Sequence, residues 1–142
     1  MKDSSVAILS SKSSSTELDE AFEEIIAMAE EELWVSVEFI YGSNSFWGKT
    51  PDEEMSEDEI TGIIDVGDDQ DTIYKIISLT HEIGHAIHDR DKHFKNAKET
   101  MFSESIAWFL GYKWCAHRGF VIDMDEYKQM MSKCLSMYME ME

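Results

Sequence analysis

The spacing of apolar residues changes from a helical period to a strand-like period within the first third of the chain. Residues 16–33 repeat apolar side chains every three or four positions, which predicts an amphipathic helix. Ser14 and Glu17 can form a capping box at its start. Residues 34–41, "WVSVEFIY", alternate apolar and polar side chains and predict a strand. A second strand is predicted for residues 60–67, "ITGIIDVG", which are rich in β-branched side chains and follow a loop.

The second half of the chain has the pattern of three helices. The first begins after Asp71, the second covers about residues 96–117, and the third begins near Asp123 or Asp125. The acidic segment between the two predicted strands, residues 42–59, contains the only proline and predicts a loop. One helix, two strands and three further helices together predict an α+β fold with a small sheet.

Length and composition predict one globular domain. The chain has 142 residues, 43% of them hydrophobic, which is enough for a single core. Residues 1–15 end in the polar run "SSKSSS" and predict a flexible lead-in, so the domain is expected to span residues 16–142. The sequence has no basic segment followed by a long apolar run and only two cysteines, and we therefore expect a cytoplasmic protein.

The charge of the chain limits its partners. Thirty Asp and Glu residues against 12 Lys and Arg residues give a formal net charge of -18. This charge repels phosphate backbones and anionic lipid surfaces, so direct binding to nucleic acid or membrane is disfavoured. The charge can serve solubility alone, or it can attract a basic partner or mimic a nucleic acid.

The motif "HEIGH" lies on the helix that follows Asp71. His81 and His85 are four residues apart, so their side chains share one helical face and can bind one ion. Two neutral imidazoles suit zinc, Zn²⁺. Glu82 lies about 100° around the helix from His81, where it can act as the general base for zinc-bound water. Gly84 leaves room for the backbone of a neighbouring element.

A catalytic zinc site needs a third protein ligand. His88 lies seven residues from His81, a rise of roughly 10 Å, which is too far for both to bind one ion comfortably. Asp91 stands where a metzincin has its third ligand, but His88 replaces the glycine of that pattern. Glu99 and Glu104 lie on the next helix. Glu104 has small and apolar neighbours and is the preferred ligand, while Asp91 and Glu99 stay as alternatives.

These residues resemble the zincin metallopeptidases of gluzincin type, and most closely the ImmA/IrrE family. Besides "HEIGH", the match rests on the E-x-x-A pattern formed by Glu104 and Ala107 in "ESIAWFLG". The resemblance covers about residues 60–112. It implies a zincin-like fold, a zinc site formed by the two histidines and Glu104, and peptidase activity. It also implies that residues 60–67 form an edge strand along which an extended peptide substrate can pair.

The sequence departs from this family at Trp108. The ImmA/IrrE pattern often has asparagine there and thermolysin-like gluzincins have aspartate, so the group that orients the histidine ligands is not identified. A donor for the oxyanion also stays open among Tyr112, His117, Tyr127 and His93. No helix-turn-helix segment is recognisable, which gives no support for a fused repressor function.

We therefore expect a zinc-dependent peptidase that cleaves an intracellular protein substrate by Glu82-assisted attack of zinc-bound water. The competing hypothesis is an acidic binding or inhibitor protein that keeps a metal only as a structural staple. Structural zinc sites usually have four protein ligands, commonly including cysteine. Neither Cys115 nor Cys134 has the sequence spacing of such a ligand, and this favours catalysis.

Overall fold

The computed structural model describes residues 6–42, 46–49, 62–88 and 97–139. These residues form a mixed α+β structure, as the sequence predicts. Its elements, in chain order, are β1 (Ala7–Leu9), α1 (Ser15–Leu33), β2 (Val35–Ile40), β3 (Phe46–Lys49), β4 (Gly62–Gly67), α2 (Thr72–His88), α3 (Ala97–His117), β5 (Phe120–Ile122) and α4 (Met124–Met139).

Helix α1 forms as predicted, and its first turn is capped by a side chain. The Ser14 hydroxyl accepts a hydrogen bond from the Glu17 backbone N–H at 3.1 Å, which satisfies one of the free donors at the helix start. The predicted apolar stripe is the buried face of the helix; its buried residues are Leu18, Ala21, Phe22, Ile25 and Ala29. The helix ends at Trp34, which takes the left-handed conformation with φ 58°.

The main sheet has three strands in the order β2-β4-β3. Strand β4 pairs in parallel with β2 and antiparallel with β3, so the prediction that residues 60–67 form an edge strand is wrong. The cause is β3, which lies inside residues 42–59, where the sequence predicts only a loop. A strand of four residues between turn-forming residues is too short to show a period of its own.

A second, two-stranded sheet joins the beginning of the chain to its last third. Strand β1 pairs in parallel with β5, with Ala7 opposite Phe120 and Leu9 opposite Ile122. Leu9 is fully buried in the hydrophobic core. Residues 7–9 therefore differ from the flexible lead-in predicted for residues 1–15. Their ordering comes from a partner more than a hundred residues away, which no local pattern reveals.

Helix α2 packs between the three-stranded sheet and helix α3. Its residues Ile76, Ile77, Leu79 and Ile83 are fully buried, which makes it the centre of the core. Helix α3 forms over nearly the predicted range, and its Phe109 side chain is 64% exposed. None of the helices in the described part of the chain has the length and apolar content needed to cross a bilayer.

Helices α2 and α3 cross in close backbone contact at small residues. A Cβ atom built on Gly84 would lie 1.7 Å from the carbonyl oxygen of Ala107, and one on Gly111 would lie 2.0 Å from that of Thr80. Both distances are far shorter than any van der Waals contact, so only glycine fits at these two positions. This confirms the role predicted for Gly84, and it sets how closely the side chains of the two helices approach each other.

Candidate metal centre

Three buried side chains meet where α2 and α3 cross. His81 Nε2 lies 3.0 Å from Glu104 Oε1, and His85 Nε2 lies 2.6 Å from Glu104 Oε2. Each residue offers one ligand atom, and the three atoms lie within 4.8 Å of one another. The structure thus brings together the three residues that the sequence predicts as metal ligands.

The spacing along α3 explains how Glu104 reaches the histidines. Glu104, Ala107, Trp108 and Gly111 are three or four residues apart, so they form one stripe along the helix. The small side chains of this stripe let the α3 backbone touch α2. Because the backbones touch, a carboxylate one turn before Ala107 can contact both imidazoles.

The histidines favour the ionised form of the Glu104 carboxylate. Burial by itself would raise the pKa of this group, but hydrogen bonds from His81 and His85 and their positive charge outweigh it and lower the pKa to about 2. The carboxylate is therefore charged at neutral pH.

Glu82 lies beside this triangle and is not a member of it. Its side chain is buried, and its Oε2 lies 3.5 Å from His81 Nδ1, the ring nitrogen that does not face Glu104. Two nitrogens of one imidazole thus approach two different carboxylates. Glu82 is placed next to the ligands, as expected for a group that moves a proton and leaves metal binding to its neighbours.

Trp108 holds His81 by stacking. The two rings are nearly parallel, 12° apart in plane, with centroids separated by 4.1 Å. Tyr127 of α4 packs edge-on against the Trp108 ring, with the two ring centroids 5.1 Å apart. The Tyr127 hydroxyl also donates a hydrogen bond to the Trp108 carbonyl oxygen. Trp108, where the sequence departs from the pattern that it resembles, therefore fixes the ring of a candidate ligand by stacking.

The Tyr127 hydroxyl thus already donates to a backbone carbonyl, which argues against Tyr127 among the four candidate oxyanion donors. His117 is exposed in the last turn of α3, and Tyr112 is partly buried against Tyr127. Among the described residues, the ligand triangle includes neither His88 nor any of these groups.

Asp91 and the candidate donor His93 lie outside the described residues, as does the side chain of Glu99. The triangle formed by His81, His85 and Glu104 is complete without them.

Cys134 is a residue of the site that the sequence does not predict. Its sulfur lies 3.7 Å from Glu104 Oε1, on the α4 face that also carries Tyr127. Burial and the neighbouring Glu104 carboxylate raise the pKa of the thiol to about 11, while the Trp108 indole N–H acts in the opposite direction. Cys134 therefore lies beside the site although its sequence spacing does not predict a metal ligand. Cys115, by contrast, is buried against the Thr80 hydroxyl.

The chemistry of the donors fits a divalent transition metal. Two imidazole nitrogens and one carboxylate oxygen form a common ligand set of catalytic zinc, and the carboxylate supplies the negative charge that a cation needs. All three residues are buried, each less than one tenth exposed, so few waters compete for an ion bound between them. The residues present can hold such a metal, and their identity alone does not name which one.

Comparison with known proteins adds no relative. No protein-family model, curated protein or solved structure matches the chain.

Proposed function

We propose that this chain is a zinc-dependent metallopeptidase with a zincin-like fold, which hydrolyses a peptide bond in a cytoplasmic protein substrate. The observation that carries the proposal is the buried triangle of His81, His85 and Glu104 with Glu82 directly beside it. A structural metal site needs ligands only. A carboxylate that adjoins the ligands without joining them is what a hydrolytic site requires in addition.

Each residue of the site would have a separate role in hydrolysis of the peptide bond. A zinc ion held by the triangle would polarise the scissile carbonyl and lower the pKa of a water molecule toward about 7. Glu82 accepts the proton of the attacking water and returns it to the nitrogen of the leaving amine. Trp108 fixes the ring plane of His81 so that the nitrogen facing Glu104 keeps its direction.

The free edge of β3 is the place where a peptide substrate would lie. Among the described strands β3 pairs only with β4, and it contacts α2, the helix that carries Glu82. An extended peptide can add to such an edge through main-chain hydrogen bonds. The edge expected at residues 60–67 is thus replaced by the edge of the neighbouring strand.

One experiment combines metal analysis with detection of cleavage. Wild-type protein, Glu104→Ala and Glu82→Gln are purified from zinc-supplemented medium, and zinc per chain is measured. Each protein is then incubated with a pool of unstructured peptides, and new termini are detected by mass spectrometry. Glu20→Gln, on the exposed side of α1, makes the same chemical change away from the site and is the matched control.

We expect one zinc per chain in the wild type, a loss of zinc in Glu104→Ala, and retained zinc in Glu82→Gln. Cleavage by Glu82→Gln should fall by about 10²–10⁴-fold, the usual contribution of a general base. A wild-type protein without stoichiometric metal would refute the site. Unchanged cleavage in Glu82→Gln would refute the role of Glu82.

A second function is favoured by one observation, the sulfur of Cys134 beside Glu104. A cysteine that permanently completes the ligand set would make the metal a structural staple, as in an acidic protein that binds a basic partner. Stoichiometric zinc without cleavage by any of the proteins would favour this alternative.

A further inference from the structure

The distance between the Cys134 sulfur and Glu104 Oε1 is close to that expected for two ligand atoms of one metal ion. Zinc–sulfur and zinc–oxygen bonds of about 2.3 Å and 2.0 Å at a tetrahedral angle place the two ligand atoms about 3.5 Å apart. The observed separation between Cys134 Sγ and Glu104 Oε1 is 3.7 Å. Helix α4 thus delivers a soft donor to a site that otherwise has two nitrogens and one oxygen.

An independent observation also points to a ligand at this position. The indole N–H of Trp108 is buried, with the residue only 2% exposed, and within the described part of the chain it has no hydrogen-bond partner of regular geometry. It lies beside the Cys134 sulfur. A buried donor without an acceptor is costly, and a metal-bound thiolate is an acceptor that would satisfy it.

We propose that Cys134 is a displaceable fourth ligand, which closes the metal site at rest and leaves it when substrate enters. The proposal rests on the metallopeptidase function proposed above and adds its regulation. On binding, the thiol releases its proton to solvent and a sulfur–metal bond forms. On displacement by an oxygen ligand that bond breaks and the thiol takes up a proton again.

The side chain has the freedom that displacement needs. Cys134 is only partly buried, and a change of its single torsion χ1 between staggered rotamers moves the sulfur by about 3 Å. The sulfur lies next to Glu104 but is outside the triangle whose atoms are all within 4.8 Å of one another. In the proposal, this rotation is the motion that moves the sulfur between the bound and the released position.

Cobalt substitution tests the proposal without a substrate. Co²⁺ is bound to reduced wild-type protein, Cys134→Ser and Cys115→Ser, and absorption spectra are recorded. Visible d–d bands report that the ion is bound, and a near-ultraviolet sulfur-to-cobalt charge-transfer band reports a thiolate ligand. Because the chain has only two cysteines, Cys115→Ser is the matched control. Any charge-transfer band that it shows must come from Cys134.

We expect the charge-transfer band in the wild type and in Cys115→Ser, and its loss in Cys134→Ser with the d–d bands kept. Addition of acetohydroxamate, a bidentate oxygen ligand, should abolish the band in the wild type. A bound ion without the band in both the wild type and Cys115→Ser overturns the proposal but leaves the metallopeptidase function standing. A band that persists when acetohydroxamate binds overturns displacement. Failure of the wild type to bind cobalt or zinc removes the proposed function itself.

Discussion

The substitution Gly84→Ala tests whether the crossing of α2 and α3 sets the geometry of the metal centre. The added methyl group would lie 1.7 Å from the Ala107 carbonyl oxygen, whereas real Cβ contacts begin at 3.0 Å. The backbones must therefore separate by at least 3.0 − 1.7 = 1.3 Å. No flexible side chain can absorb this shift, because the obstacle is backbone.

The energy follows from two opposing effects. Overpacking costs about 1–3 kcal/mol, and a clash with backbone belongs at the upper end of that range. Alanine regains about 1 kcal/mol of helix propensity relative to glycine. We therefore expect a net loss of about 2 kcal/mol in the free energy of unfolding, an effect opposite in sign to the one propensity alone predicts.

The same shift should weaken metal binding. His85 follows Gly84, and Glu104 lies one turn before Ala107, so separating the helices lengthens the 2.6 Å approach of His85 to Glu104. Metal–ligand distances tolerate changes of only about 0.2 Å. We expect zinc affinity to fall by about tenfold or more, within the range seen when groups supporting the ligands are lost.

Urea denaturation of the metal-free protein and competition with a chelator measure the two effects. Lys113→Ala, at an exposed position of α3, is the control for a new alanine in this helix pair, and Gly111→Ala should lose stability as Gly84→Ala does. If Gly84→Ala unfolds at the same or a higher urea concentration than the wild type, the backbone contact does not exist as described.

Two further pairs of substitutions test other parts of the structure. Trp108→Leu removes the ring stacked on His81 and should weaken zinc binding by about 10–100-fold in chelator competition. Trp108→Phe keeps an aromatic face and should lose less zinc affinity. Equal losses of affinity in the two variants would argue against stacking. Leu9→Ala should lower the free energy of unfolding by about 2–5 kcal/mol, since Leu9 is fully buried. Ile8→Ala, at a side chain that is 65% exposed, should change this free energy by less than about 0.5 kcal/mol. Similar small losses for both variants in urea denaturation would show that β1 is not part of the core.

The ligand triangle could be predicted because its geometry is mostly local. The helical period places His81 and His85 on one face whatever surrounds them, and the α2 pattern is strong. Glu104 could be chosen because a carboxylate among apolar neighbours needs a partner when buried, and the structure supplies two imidazoles. The glycine at position 84 predicts a close backbone contact on α2, and α3 crosses α2 at that position.

The sheet could not be predicted in the same way, because its strands depend on distant partners. Strands β1, β3 and β5 have three or four residues each, too few for a period of two to be visible. Whether β4 is an edge or a centre depends only on β3, and a four-residue strand inside an acidic, turn-rich segment gives no signal. The error about the edge strand follows from that one missing element.

Cys134 shows where spacing rules for metal ligands stop being informative. Those rules describe ligands held on one loop or one helix, where separation along the chain fixes separation in space. Here Cys134 and Glu104 are 30 residues apart and come from different helices, so their 3.7 Å approach depends on how α4 packs against α3. Tyr127 holds that packing through its contact with Trp108, the same residue that stacks on His81. The docking of α4 and the orientation of a ligand are therefore coupled through one indole ring, and a change at Trp108 should disturb both the histidine and the cysteine sides of the site.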